Sequence, residues 1–241
     1  MPKRPDRPQP TKEGERAGSG KSEAEGAANT GTKTTTTEET DLERVSKESY
    51  EAQIAYFRSI PWCAAHLEAT ERLSIVQPIS RTLSLGPPVP HGLISRTLNT
   101  PSIIPAYVVF FTEPGGGDGS DALVAEVKAF FALGPMLNGW PGFCHGGIVC
   151  MMMDEIMGAV VEVNRHKGLM SAGSVVTSRL TIRFLKPVRT GTTEEPNVVL
   201  VRGRLAEVNG RKFILRATAE GEGGELLPEG ESLFVEIRPR L

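Results

Sequence analysis

Across the first 41 positions no Val, Ile, Leu, Phe, Trp or Tyr occurs, and the stretch ends in the threonine-rich TGTKTTTTEET. A segment without apolar side chains cannot offset its ordering entropy, so 1–41 is expected to be a disordered tail. Beyond it, Val45, Tyr50, Ile54 and Phe57 recur at helical spacing and predict a helix from 41 to about 67, with Ile60-Pro61 as its stop. Residues 68–104 show no clean period and read as connecting structure. Two strands, 106–112 and 123–133, flank GGGDGSD, which reads as a hairpin turn. Asn138-Gly139-Trp140-Pro141-Gly142 reads as a loop. A long apolar run from 146 to about 163 then reads as a helix, and four strands follow at 174–186, 197–207, 211–220 and 231–238. Asn209-Gly210 between two of them is a strong hairpin signal. This order predicts an α+β plan, a mostly antiparallel sheet wrapped around one buried helix. The chain divides into the tail 1–41, an N-terminal helix and irregular extension over 42–104, and the sheet domain over 105–241.

Charge and cysteine usage narrow the partners. Of 241 residues, 27 are Lys or Arg and 29 are Asp or Glu, a balance that argues against nucleic acid held by a broad basic field. No apolar run approaches the ~20 residues that span a bilayer. Residues 103–111 are broken by Pro105, and 146–153 end at Asp154. Cys63, Cys144 and Cys150 form no CxxC, which argues against a disulfide scaffold or structural zinc and for a reducing compartment. GSGKS in the tail resembles the end of a phosphate loop, but Gly14 stands one residue too far from Gly20. The tail mixes acids with bases, unlike acid-poor presequences. Its expected location is cytoplasmic, with mitochondrial as the alternative.

Candidate chemistry concentrates on the apolar helix GGIVCMMMDEIMGAVVEV. A helix apolar on nearly all sides is buried, so Asp154 and Glu155 within it need partners or raised pKa values. Adjacent helical residues point about 100° apart, so at most one faces a given site, and Asp154 is the candidate. At the helix start, His145-Gly146-Gly147 offers backbone N–H groups without intrahelical partners, suited to an oxyanion. Gly147 and Asp154 share a face but lie ~10.5 Å apart along the axis, too far to act on one carbon. Two antiparallel copies of the helix bring Gly147 of one to Asp154 of the other, which points to a two-fold dimer. Cys144 beside His145 is a candidate activated thiolate, and the methionine run reads as core packing.

The spacing from His145 to Asp154 within GPMLNGWPGFCHGG, followed by LTIRFLKPV, VNGRKF and ESLFVEIRP, resembles a known family. This is the hotdog-fold acyl-CoA thioesterases of the phenylacetyl-CoA and 4-hydroxybenzoyl-CoA superfamily, in particular the animal mitochondrial long-chain enzymes that include carboxy-terminal modulator protein. The resemblance covers about 105–241. It implies hydrolysis of an acyl thioester to free acid and coenzyme A, without metal or cofactor, by a homodimer or a dimer of dimers. Asp154 matches the family's base or nucleophile, and the Gly147 N–H the group that polarises the carbonyl. His145 matches a histidine that orients the loop, and Thr177 a hydroxyl residue that positions the water or the acid. Arg211 and Lys212 match a pair that contacts coenzyme A, and Arg183 a further ligand position where the residue type departs from the animal relatives. Asn138 lies one place from an asparagine used by some relatives and is not carried over. By strict strand alternation Thr177 shares a face with Arg179, Thr181 and Arg183, opposite Leu180, Ile182 and Phe184. The alternatives are a non-catalytic acyl-CoA-binding or regulatory protein, a hotdog dehydratase, and a biosynthetic thioesterase acting on a carrier-bound chain.

Overall fold

The computed structural model describes residues 47–82, 91–115, 122–170 and 173–237. The expected tail, its GSGKS stretch and most of GGGDGSD lie outside them. The helix expected to run to about 67 is two helices, α1 over 47–58 and α2, Pro61–Leu67. Pro61 cannot serve mid-helix, where its missing N–H leaves a gap, so it opens α2 behind an extended Ile60. The strands are β1 Leu73–Val76, β2 Tyr107–Thr112, β3 Glu126–Leu133, β4 Asn138–Trp140, β5 Phe143–Cys144, β6 Val175–Phe184, β7 Asn197–Asn209, β8 Lys212–Glu220 and β9 Leu226–Glu236. The long helix α3, Gly146–His166, separates β5 from β6.

Seven strands form one antiparallel sheet in the order β1-β2-β3-β7-β8-β9-β6, with β4 and β5 as a separate hairpin. The stretch 68–104 thus does more than connect, because β1 pairs with β2 and extends the sheet. The expected loop at 138–142 includes strand β4 and pairs onto β5. β9 starts ahead of the expected 231, and the Pro228 within it lies where the ladder to β8 shifts register, so its missing N–H is tolerated.

Composition tracks which faces are covered. β2 and β3 are apolar at both parities because α3 packs on one face and α1 and α2 on the other. Phe57 of α1 is fully buried and stacks on Phe130 at 5.4 Å. β8 instead alternates, with Phe213, Leu215, Ala217 and Ala219 buried and Lys212 and Arg216 exposed. α3 buries Val149, Met152, Met153, Ile156, Met157, Val160 and Val161 against the sheet. Its close approach requires Gly203 in β7, where a Cβ would stand 2.8 Å from the Ile156 carbonyl oxygen. This sheet on one long central helix is the hotdog arrangement.

Candidate active site

The start of α3 is pinned from several sides. The His145 N–H donates to the Leu137 carbonyl at 2.8 Å, and Gly139 of the β4–β5 hairpin lies so close that a Cβ there would stand 2.9 Å from His145 Cα. His145 is the N-cap: its carbonyl accepts from Ile148 and Val149, and its Nδ1 accepts the Gly147 N–H at 3.0 Å. An accepting Nδ1 puts the neutral ring's proton on Nε2, which becomes a donor. The Gly147 N–H, expected to polarise a carbonyl, is therefore shared with His145 in this chain. The Gly146 N–H has no acceptor among the described residues.

Two turns along, Asp154 is half-buried and accepts a 2.9 Å hydrogen bond from Thr177 Oγ1 of β6. Burial pushes its carboxyl above the usual aspartate range, and the Thr177 hydrogen bond partly offsets this. Thr177 reaches the helix because β6 carries a bulge between Thr177 and Arg179, shifting the register against β9. The bulge overturns the strict alternation expected of this strand. Thr177 faces α3, as do Leu180 and Ile182, which pack on the core beyond it. Arg179 and Arg183 fall on the other face, where they pair with Glu231 and Glu229.

Glu155 carries more structure than its neighbour's primacy suggests. Its Oε1 accepts hydrogen bonds from Ser80 Oγ and from Tyr107 OH, the latter at 3.2 Å. Burial raises its carboxyl, and those two donors pull it part of the way back. Buried Arg81, next to Ser80, donates to Asn99 Oδ1 and to the Ile104 carbonyl at 2.7 Å and lies over the Tyr107 ring. None of these partners stands near Glu155 in sequence, so only the fold assembles them.

Asp154, Thr177, Glu155, Tyr107 and Ser80 line one cavity of about 870 Å³ between α3, β1 with the turn after it, and the start of β6. Val76, Val109, Phe111 and Phe234 supply apolar wall. Of the methionine run, Met152 and Met153 are core and none lines the cavity. Arg211 and Lys212 sit at the β7–β8 turn, with Arg211 Nη1 bonded to the Glu236 carbonyl at 3.1 Å. Burial pushes the Cys144 thiol up to about 12, which leaves it protonated and a poor nucleophile. No cluster of three His, Cys, Asp or Glu side chains suited to a metal occurs among the described residues. No described helix is long and apolar enough to cross a membrane.

Residues 141–227 match the model of the Thioesterase superfamily. A Xenopus laevis protein named acyl-coenzyme A thioesterase THEM4 is 29% identical over 115 residues, 47% of this chain and 46% of that protein. The Bos taurus protein of the same name is 30% identical over 45% of this chain and 40% of its own length. The matches thus span less than half of these thioesterases. Verlamelin biosynthesis protein B from Lecanicillium sp is 24% identical over 61% of this chain and 73% of its own. Among solved structures, a thioesterase superfamily protein aligns over 54% of this chain and 56% of its own with 24% identity and a TM-score of 0.39.

Proposed function

We propose that this chain, whose residues 141–227 carry the thioesterase-superfamily pattern, hydrolyses acyl-CoA thioesters to free acid and coenzyme A. The observation that carries the reading is the half-buried Asp154 carboxylate, held by Thr177 Oγ1 at 2.9 Å on the wall of a largely apolar cavity. An elevated carboxylate in such a site is suited to take a proton from water, or to attack the carbonyl carbon itself. Water adds to the thioester carbonyl, the C–S bond breaks, and the proton taken by Asp154 passes to the departing thiolate. Thr177 is the positioning residue for Asp154.

The developing oxyanion takes the backbone donors at the start of α3. The Gly146 N–H is open, the Gly147 N–H turns from His145 Nδ1 to the substrate oxygen, and His145 Nε2–H is a further donor. Because Gly147 and Asp154 are two turns apart on one helix, a second copy of α3 supplies the donors to the first copy's acid. β6 ends the sheet order with Val176 and Phe184 exposed, which suits it to pair with a second copy. Arg183, Arg211 and Lys212, on the outer face and at the hairpin, are assigned to the coenzyme's phosphates, which remain toward solvent.

Thiol release from an acyl-CoA chain-length series by the full chain tests this. Turnover supports it, and acyl-CoA binding without release assigns the protein instead to non-catalytic acyl-CoA binding. Similarity to a protein named for verlamelin biosynthesis favours a second reading, hydrolysis of an acyl chain bound to a carrier protein. Turnover of acyl-carrier thioesters in preference to acyl-CoA selects it.

A further inference from the structure

The thioesterase reading uses Asp154 and leaves its neighbour without a task, yet Glu155 is the better built of the two. Oε1 takes both protein hydrogen bonds, from Ser80 and Tyr107. Oε2 accepts none from any described residue, and it is not among the buried atoms without partners, so it opens to the cavity. Val76, Val109 and Phe111 supply apolar wall of the same cavity, which His91, an electrostatic partner of this carboxyl, also lines. An acceptor set into such a wall loses its water when an acyl chain enters, and a donor carried by the chain replaces that water.

We infer that Glu155 reads a hydroxyl on the acyl chain, so that the substrates of this site are hydroxyacyl thioesters. The inference rests on the thioesterase reading and adds the substrate class. Two donors on Oε1 favour the ionised carboxylate, whose Oε2 accepts, so the matching group on the chain is a donor. Arg81, beside Ser80 and over the Tyr107 ring, already opposes the carboxylate's charge, which favours a neutral hydroxyl over an ammonium group. Asp154 and Glu155 both line the same cavity from consecutive positions of α3, with Cα atoms about 3.8 Å apart. Asp154 leans to β6 through Thr177, and Glu155 leans to β2 through Tyr107. The hydroxyl therefore lies a few carbons beyond the thioester carbon. The residues that orient Glu155, Ser80 after β1 and Tyr107 of β2, lie outside the 141–227 matched by the family model. Substrate class is thus set jointly by the N-terminal extension and β2, upstream of the matched segment.

The test is kcat/KM of the full chain on matched decanoyl-CoA, hydroxydecanoyl-CoA and oxodecanoyl-CoA, with the substituent moved carbon by carbon along the chain. At one position the hydroxyl compound is expected to exceed the unsubstituted one by ~10-fold or more, and the oxo compound, an acceptor only, to fall below it. Glu155→Gln keeps an oxygen for Ser80 and Tyr107 while turning an amide N–H to the cavity. In it the hydroxyl advantage disappears and the oxo compound is accepted. Flat ratios across the wild-type series, with hydrolysis intact, overturn the inference and leave the thioesterase reading standing. Retention of the hydroxyl preference in Glu155→Gln also overturns it. Hydrolysis of no member overturns both. If the variant fails to fold, the wild-type ratios decide alone.

Discussion

Thr177 Oγ1 and Asp154 Oδ1 meet at 2.9 Å across the gap between the last strand of the sheet and the central helix. The bond exists because a bulge turns Thr177 inward, and it is the polar contact that favours the ionised aspartate against its burial. Thr177→Val is expected to lower kcat/KM by ~10-fold, the loss of one positioning hydrogen bond to a charged group. Thr177→Ser restores most of it. Steady-state kinetics of both variants check this, and an unaffected Thr177→Val removes Thr177 from the mechanism.

The same bond sets a pH dependence. A base works ionised, so kcat/KM falls as pH drops through the Asp154 pKa, which burial holds above the ordinary aspartate range. Removing the Thr177 donor takes away what stabilises the charged form, so Thr177→Val moves that acid limb to higher pH, by up to about one unit. A pH–rate profile of the two proteins reads the shift directly.

Much of the architecture was legible in the sequence. The apolar run of α3, the two strands flanking GGGDGSD, and the Asn209-Gly210 hairpin each carry one physical signal, and each of these helices and strands stands within a few residues of where that signal put it. What was not legible depends on partners distant in the chain. Leu73–Val76 is too short to show a period, and becomes a strand because β2 offers an edge. Strict alternation placed Thr177 with the arginines, since a bulge leaves no mark in composition. Glu155 looked like a spare acid because Ser80 and Tyr107 reach it from far upstream. The N-terminal extension, seen as irregular, holds part of the cavity wall for the same reason.

Asp154 is expected to trade stability for chemistry. Its folded pKa is raised, so the fold favours the protonated form, and stability is lost as pH rises from the ordinary aspartate range through the folded value. Asp154→Asn keeps an oxygen for Thr177 and drops the desolvated charge. Its Tm at neutral pH is expected to exceed that of the wild type by ~1–3 °C, a modest gain because the group is only half-buried. The gap closes as pH falls below the ordinary aspartate range. Thermal melts at neutral and acid pH measure it.

Gly203 tests how closely the site depends on helix–sheet contact. A Cβ at this position meets the Ile156 carbonyl oxygen at 2.8 Å and Val160 Cγ2 at 3.0 Å. Gly203→Ala is expected to push α3 off β7 at a cost of ~1–3 kcal/mol, and to lower turnover because Asp154 rides on the same helix. Denaturant unfolding and thiol release check the two effects together. A variant as stable and active as the wild type shows that the helix does not need this approach.

The central claim, that Asp154 is the group acting on the thioester, is tested most directly by kcat for thiol release in Asp154→Asn beside the wild type, both verified as folded. The account predicts a loss of at least ~10²-fold, with the fold intact and the Tm no lower. An Asp154→Asn protein that hydrolyses acyl-CoA at a rate near that of the wild type contradicts it.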